Sequence, residues 1–391
     1  MPLRLSSPAP PWGVARPERL LESLGLEPFH QAFPWYGPDL QTVRDTLVPP
    51  PPGPLGVETL LVDLPDGGQL LALLNRPTAP GGARALVLLV HGLGGDGESP
   101  ALVRLTRLLL ASRFAVLRLN LRGAGAGRGL APGCYSAFCV SDLLPVLPLA
   151  RRLTRLWADR SGSPRPLFGV GHSLGGTILL NLCLAVAADD RCSTPAASPT
   201  PGRERAAAAT DQPLDGLVCL SSPLDLEACS RRLGTARNAL SHAWLLRRLI
   251  RQVLADPQPL PAAELAALQG PAAVRSLRQF DHRITARRWG FDSVEAYYRS
   301  ASPLTQLLEG GELPPALLLQ SRDDPWIPSE AIETLQRRNP AAGPSLLLTA
   351  RGGHGGFHGA GSVLGRQQGS WAEQLAVRWL LAQSRTDRAG G

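Results

Sequence analysis

The sequence predicts an α/β protein whose core is a mostly parallel, doubly wound sheet with an inserted helical lid. From residue 85 onward, short apolar runs typical of buried strands alternate with segments whose leucines recur at helical spacing. One long and mostly helical segment, residues 223–313, interrupts this alternation. Ligands of such sheets bind outside the carboxyl ends of the strands, where an insertion of this kind lies. We therefore predict that residues 223–313 cover a binding site.

The chain divides into four parts by composition and pattern. They are a Pro-rich arm (1–54), the first part of the core (55–222), the lid (223–313) and the second part of the core (314–391). The arm ends in a run of prolines that predicts a stiff polyproline spacer. The core begins with a hairpin over 57–64 and 69–75, joined by Pro-Asp-Gly-Gly. Residues 189–212 are rich in Ala, Pro, Ser and Thr without periodicity, which predicts a disordered insertion.

The remaining elements of the core follow in the order that a parallel sheet requires. Continuous apolar runs predict strands at 85–90, 114–119, 167–170, 217–220, 316–320 and 345–349. Helical spacing predicts helices around 102–109 and at 142–157, 174–186, 330–337 and 371–382.

Composition excludes several classes of protein. Of the 391 residues, 44% are hydrophobic and 18% are charged, so the chain can bury a large core and is not disordered as a whole. The formal net charge of +8 comes from 40 basic residues, all of them arginine and scattered along the chain. With aromatic residues at only 5%, this pattern favours a coding bias over a nucleic-acid site, and we expect no nucleic-acid partner.

The spacing of the cysteines indicates whether the chain binds a metal, and the length of its apolar segments indicates its cellular location. The six cysteines include no C-x-x-C pair and no ligand spacing with histidine, so we expect reduced thiols and no metal. No window approaches the roughly 18 apolar residues of a membrane span, and the amino terminus lacks the apolar segment of a signal peptide. We therefore expect a cytoplasmic protein.

The strongest motif is Gly-His-Ser-Leu-Gly-Gly at residues 171–176, directly between a predicted strand and a predicted helix. G-x-S-x-G in this context is the nucleophile elbow, a strained turn that exposes a serine hydroxyl above the sheet. Ser173 is therefore the candidate nucleophile. The alternative is a Gly-rich turn whose serine only caps the following helix.

A serine nucleophile needs a histidine base and an orienting carboxylate, which in this architecture follow in the order Ser, acid, His. Asp323 and Asp324 follow one predicted strand, and His354, framed by glycines, follows the next. We prefer Asp324, which precedes a proline, over Asp323, and His354 over His358. Taken singly, the aspartates could cap a helix and His354 could be a solvated loop residue.

An oxyanion hole needs two backbone N–H groups aimed at the developing charge. Leu174, the residue after the nucleophile, is expected to supply one. The loop after the strand at 85–90 begins His91-Gly-Leu-Gly-Gly, and we assign the second donor to Leu93. His91 is predicted to be a structural hydrogen-bonding residue rather than a base.

The same loop also satisfies G-x-G-x-x-G at residues 92–97, which raises the alternative of a dinucleotide site. The next strand ends without the expected acidic residue, although Arg122 there could suit a phosphorylated dinucleotide. This alternative leaves the Ser-Asp-His series unexplained, so we expect no cofactor. The Gly-Ala repeat at 123–127 is predicted to form a tight loop at the rim of the site.

These motifs together resemble the YheT-like branch of the α/β-hydrolase superfamily, which includes animal lipid enzymes. The matching segments extend over nearly the whole chain and lie at 38–42, 91–95, 120–123, 171–176, 280–281, 297–298, 323–325 and 353–357. The chain departs from this pattern at residues 38–39, Pro-Asp, where relatives often carry a histidine before Leu-Gln-Thr. The membrane anchor of the animal relatives is not expected here.

The resemblance implies the α/β-hydrolase fold and an esterase of short- to medium-chain acyl groups with Ser173, Asp324 and His354 as its triad. The expected substrate is a small acyl ester or lipid, and the basic surface would favour peripheral contact with anionic lipid. Two alternatives remain, an acyltransferase or thioesterase with the same triad, and a non-catalytic binding module of the same fold.

Overall fold

The computed structural model describes residues 17–48, 53–54, 56–78, 82–158, 162–192, 212–271, 273–338, 343–359 and 369–386. Most of the predicted polyproline spacer, and residues 193–211 of the predicted insertion, lie outside the described residues.

In the described part of the chain, eight strands form one sheet in the order β1-β2-β4-β3-β5-β6-β7-β8. The strands are β1 Val57–Asp63, β2 Gln69–Asn75, β3 Leu86–Val90, β4 Ala115–Asn120, β5 Leu167–His172, β6 Gly216–Leu220, β7 Ala316–Ser321 and β8 Ser345–Thr349. Strand β2 is antiparallel to β1 and to β4, whereas β3 to β8 are mutually parallel. The predicted mostly parallel, doubly wound sheet is therefore confirmed.

Strands β3, β4, β6 and β7 are buried along their whole length, as their almost continuously apolar sequences predict, whereas β8 at the edge of the sheet is only partly buried. The register of the parallel strands aligns their carboxyl ends, with Val90 opposite Gly171, His172 opposite Leu220, and Ser321 opposite Thr349. Loops that follow these strands therefore meet at one edge of the sheet, where side chains distant in sequence can come together.

Helices cover both faces of the sheet. Those before β6 are α1 Pro17–Ser23, α2 Pro38–Leu47, α3 Pro100–Ala111, α4 Val140–Leu143, α5 Val146–Arg155 and α6 Leu174–Cys192. Between β6 and β7 lie α7 Leu226–Leu233, α8 Ala239–Leu254, α9 Ala262–Leu268, α10 Leu277–Phe280, α11 Ala286–Arg288, α12 Val294–Ala301 and α13 Leu304–Leu308, followed by α14 Glu330–Arg338 and α15 Trp371–Thr386. Helices α1, α3 and α15 pack on one face, and α4, α5 and α6 pack on the other.

Two predicted helices differ from the observed ones. The helix predicted over 142–157 is two helices, because Pro145 precedes α5 and has no N–H to continue the ladder from α4. The helix predicted over 174–186 continues to Cys192 and thus into the segment predicted to be disordered.

Helices α7 to α13 form the inserted helical segment, which has a small apolar core of its own. Leu245, Leu249 and Val253 of α8 pack there with Phe280 and Ile284. A π-helical turn, Asp281–Thr285, follows α10, and such turns occur frequently at functional sites. Among the described helices, none combines the length and apolar character that crossing a membrane would require.

Candidate active site

Ser173 occupies a strained turn between β5 and α6. Its φ of 53° lies in the left-handed region that non-glycine residues seldom adopt. A Cβ on Gly171 would overlap the backbone of Gly176, and one on Gly175 would overlap the carbonyl of Val90. Strand and helix therefore approach closely only because these positions carry no side chain, and the turn presents the serine hydroxyl at the carboxyl edge of the sheet.

The structure brings Ser173, Asp324 and His354 together in one chain of hydrogen bonds. His354 Nε2 lies 2.9 Å from Ser173 Oγ, and His354 Nδ1 lies 2.8 Å from Asp324 Oδ2. The side chain of Asp324 is fully buried and that of His354 is 5% exposed. When Nδ1–H donates to the carboxylate, Nε2 is left as the acceptor for the serine hydroxyl. The arrangement can therefore move a proton from a hydroxyl to a buried imidazole.

Backbone groups of the loop after β7 hold the Asp324 carboxylate in place. Asp324 Oδ1 accepts the N–H groups of Trp326 and Ile327 at 2.8 and 2.9 Å. The other carboxylate oxygen, Oδ2, is thereby directed at His354. The indole ring of Trp326 lies 4.6 Å from the imidazole ring of His354, centroid to centroid, and packs over it.

The two alternative site residues occupy different positions. Asp323 Oδ1 accepts the N–H of Gly353 at 2.9 Å, so this carboxylate holds the backbone of the loop that carries His354. His358 Nε2 lies 3.8 Å from Asp45 Oδ1. The imidazole of His354 is thus hydrogen-bonded to Asp324 and not to Asp323, and the hydroxyl of Ser173 is hydrogen-bonded to His354 and not to His358.

The β3–α3 loop, residues 91–99, packs its bare backbone against Ser173. A Cβ on Gly92 would lie only 2.9 Å from the Cβ of Ser173. Leu93, in this loop, and Leu174, the first residue of α6, line the same cavity as Ser173. Sequence reasoning missed Tyr135, whose hydroxyl accepts the N–H of Gly94 at 2.6 Å and lies 3.3 Å from the carbonyl oxygen of Gly92.

His91 is a structural residue at the start of this loop. Its Nε2 accepts the N–H of Leu121 at 3.3 Å, and its Nδ1 lies 2.9 Å from the carbonyl oxygen of Gly92. Complete burial lowers the pKa of His91 to about 4. The ring is therefore neutral near pH 7 and connects β4 to the loop.

The arm holds the histidine loop, which we define as residues 350–359. The hydroxyl of Thr42 on α2 accepts the N–H of His354 at 2.8 Å. Gln41, 1% exposed, accepts the N–H of His358 at 2.7 Å and donates to the carbonyls of His358 and Trp35 at 2.9 and 2.6 Å. The Leu-Gln-Thr segment, residues 40–42, therefore has a structural role: its buried glutamine holds the histidine loop against α2.

A cavity of about 800 Å³ opens from Ser173 and His354 between α2 and the inserted helical segment. Most of its wall is apolar, and the lining includes Leu240, Trp244, Leu245, Leu249, Phe280 and Tyr297. A cavity of this size and lining can take most of the surface of a small apolar ligand.

Two further titratable groups beside the cavity are perturbed. Burial lowers the pKa of His358 to about 3. Burial also raises the pKa of Asp281 to about 6, although the Tyr298 hydroxyl donates to Asp281 Oδ2 at 2.7 Å and opposes this rise. Both His358 and Asp281 therefore favour the neutral form more strongly than they would in water.

Comparisons with known proteins show the family to which similar chains belong. A family model described as the alpha/beta hydrolase family matches residues 87–363. YheT of Escherichia coli (strain K12), named provisionally as an esterase, is 28% identical over 323 residues, which cover 82% of this chain and 83% of YheT. Phospholipase ABHD3 of Homo sapiens is 27% identical over 330 residues, covering 83% of this chain and 71% of ABHD3. Medium-chain fatty acid ethyl ester synthase/esterase 2 of Saccharomyces cerevisiae is 26% identical over 323 residues, covering 75% of this chain and 61% of the yeast protein.

The buried histidines predict how stability varies with pH. His91 and His358 bind protons in the unfolded chain near pH 6.5 but in the folded protein only near pH 4 and pH 3. They therefore lower the free energy of unfolding as the pH falls from 6.5 to 4, while Asp281 acts in the opposite direction. Replacement His91→Gln should make the slope of this free energy shallower by about 1 kcal/mol per pH unit between pH 4.5 and 6.

Denaturant unfolding at several pH values measures this slope. The comparison uses slopes, so a constant loss of stability in the variant does not affect it. An unchanged slope would contradict a neutral, buried His91.

Replacement of Gln41 should loosen the histidine loop. Gln41→Ala removes the acceptor of the His358 N–H and two donors, so amide exchange of residues 353–359 should accelerate about ten- to hundredfold. Hydrogen exchange measured by mass spectrometry checks this, with Leu40→Ala, a 42% exposed position on the same helix, as the control. Equal exchange in both variants would show that α2 does not hold the loop.

Proposed function

The chain belongs to the alpha/beta hydrolase family, and we propose that it hydrolyses carboxylic esters of short- to medium-chain acyl groups with Ser173 as its nucleophile. Membership confirms the resemblance seen in the sequence, and the relatives support an esterase- or lipase-type activity. The observation that carries the proposal is the hydrogen-bonded series Asp324–His354–Ser173 at the mouth of an apolar cavity.

In the proposed reaction, Ser173 Oγ attacks the ester carbonyl carbon while His354 Nε2 takes the hydroxyl proton. The buried carboxylate of Asp324 keeps the proton of neutral His354 on Nδ1 and stabilises the imidazolium that forms. The C–O bond to the alcohol then breaks, and His354 returns the proton to the departing oxygen. Water, activated by the same imidazole, attacks the acyl-enzyme and releases the carboxylic acid.

We assign the oxyanion hole to the backbone N–H groups of Leu93 and Leu174. Two observations support this assignment: both residues line the cavity beside Ser173, and the loop backbone packs against the serine. Leu174 also begins α6, so the partial positive charge of that helix end would favour the developing oxyanion. Tyr135, through its hydrogen bond with Gly94, would keep the loop in this position.

The inserted helical segment, in this proposal, is a lid that forms the acyl-binding wall. Apolar side chains of α8, among them Leu245 and Leu249, line the cavity, whereas a sugar or peptide would need polar partners there. Phe280 and Tyr297 also line the cavity. They would limit its depth and so favour short- to medium-chain acyl groups.

Acyl transfer to an alcohol is a second candidate function. The yeast relative is named both a synthase and an esterase. The same acyl-enzyme would give an ester instead of an acid if an alcohol replaced water. Product analysis in the presence of added ethanol distinguishes the two, because transfer yields an ethyl ester whereas hydrolysis yields free acid.

Hydrolysis of p-nitrophenyl esters from acetate to laurate tests the proposal. We expect a maximum of kcat/KM between the shortest and longest chains, and a loss of at least about a thousandfold in kcat for Ser173→Ala. A fluorophosphonate probe should label the native protein and Ser23→Ala, which alters an exposed serine of α1, but not Ser173→Ala. Absence of hydrolysis across the whole series would refute the proposal.

The two adjacent aspartates should differ sharply in their effect on rate. Asp324→Asn should lower kcat about a thousand- to ten-thousandfold, because the amide favours the wrong tautomer of His354. Asp323→Asn keeps an acceptor for the Gly353 N–H and should change kcat less than about fivefold. Steady-state kinetics of the two variants measures this difference, and equal losses would contradict the assignment of Asp324.

A further inference from the structure

Arg248 places a positive charge in the cavity beside Ser173. It lies on α8 and lines the cavity together with Ser173 and His354. Its methylene groups pack against the β3–α3 loop: a Cβ added to Gly94 would lie 3.1 Å from Arg248 Cδ. Its guanidinium carbon lies 5.4 Å from the centroid of a Trp244 ring. The cation is therefore next to the loop that carries Leu93.

Arg248 is half-buried and lacks the carboxylate partners that Arg104 and Arg122 have. Arg104 contacts the carboxylates of Asp45 and Glu373, and Arg122 contacts that of Asp142. Within the residues that the structure describes, no carboxylate lies at ion-pair distance from Arg248.

The two acidic residues of the β3–α3 loop, Asp96 and Glu98, line the same cavity but have other partners. Asp96 Oδ1 accepts the N–H of Glu98 at 2.9 Å, and Glu98 itself pairs with Arg118. The aromatic face of Trp244 is thus the one described partner of the Arg248 cation.

A guanidinium that faces an apolar cavity without a carboxylate partner is available to bind an anionic ligand. Arginine donates two parallel hydrogen bonds to phosphate or carboxylate oxygens, so it recognises these groups by shape as well as charge. Leu245 and Leu249, on either side of Arg248 along α8, line the same cavity and suit the acyl chain. Because the acyl chain itself is apolar, a charged group that contacts Arg248 would belong to the alcohol portion of the ester.

We propose that Arg248 binds an anionic group, phosphate or carboxylate, carried by the alcohol portion of the ester substrate. This inference rests on the proposed function and specifies its substrate class, an acyl ester of an alcohol that also bears an acidic group. Arg248 would contact the substrate beside the reacting carbonyl and would select among esters of equal chain length.

The experiment compares kcat/KM for three octanoyl esters that differ only in the alcohol. They are 1-octanoylglycerol, which is neutral, 1-octanoylglycerol 3-phosphate, and octanoyl glycolate, whose alcohol carries a carboxylate. The native protein should prefer at least one anionic ester over the neutral one. Arg248→Gln should lower this ratio of anionic to neutral kcat/KM about 10- to 100-fold, as expected for loss of a hydrogen bond between charged groups.

Two further variants distinguish a bidentate contact of the Arg248 guanidinium from the effect of positive charge alone. Arg248→Lys keeps the charge but not the fork, so it should retain only part of the preference. Arg247→Gln removes an exposed neighbouring charge from the same helix and should leave the ratio unchanged. Thermal unfolding of each variant checks that it is folded.

The outcomes distinguish this inference from the function on which it rests. A preference confined to the phosphate ester or to the glycolate ester identifies the group that Arg248 binds. Hydrolysis of the neutral ester with no preference for either anion, or an unchanged ratio in Arg248→Gln, would overturn the inference alone. Failure of the native protein to cleave any of the three esters would overturn both.

Discussion

The geometry of the candidate site depends on one steric constraint, the absence of side chains where the turn at Ser173 contacts its neighbours. At Gly171 and Gly175, a single carbon atom would push α6 away from β5 and from the end of β3. Because the helix sits so close, the serine adopts a positive φ and its hydroxyl stands at the edge where the parallel strands end. The β3–α3 loop can then approach it with its own bare backbone. Ordinary burial of apolar residues holds the sheet together, but the close approach places the serine hydroxyl at this edge.

Around this turn, neutral and paired groups hold the other parts in position. His91 and Tyr135 fix one loop through hydrogen bonds to its backbone, and Gln41 and Thr42 fix the other. Burial of these four side chains leaves no unpaired charge, because His91 stays neutral and Tyr135, Gln41 and Thr42 are uncharged. Charged side chains also line the cavity, and the role that we propose for Arg248 is to select among ligands by their charge.

Much of the architecture could be predicted from sequence, because buried parallel strands are apolar throughout and glycines mark the turns that follow them. The order of Ser173, Asp324 and His354 along the chain could likewise be recognised, although their catalytic roles stay predictions. Tyr135, Gln41 and Arg248 could not be identified in this way, since their importance comes from contacts with segments far away in sequence. Pro145 marks the break between α4 and α5 in the sequence itself, but the regular spacing of apolar residues across it predicts one continuous helix. The end of α6 could not be placed, because its last turn has the composition of the insertion that follows.

The bond between Gln41 and His358 also has a consequence for the order of folding. The two residues are 317 positions apart, so their contact closes one of the longest loops in the chain. During synthesis, α2 leaves the ribosome long before the histidine loop is made. Until then, α2 has no loop to bind. Local pairings such as β1 with β2 form at far lower entropic cost. We therefore expect the imidazole of His354 to be positioned late in folding, after the serine turn has formed.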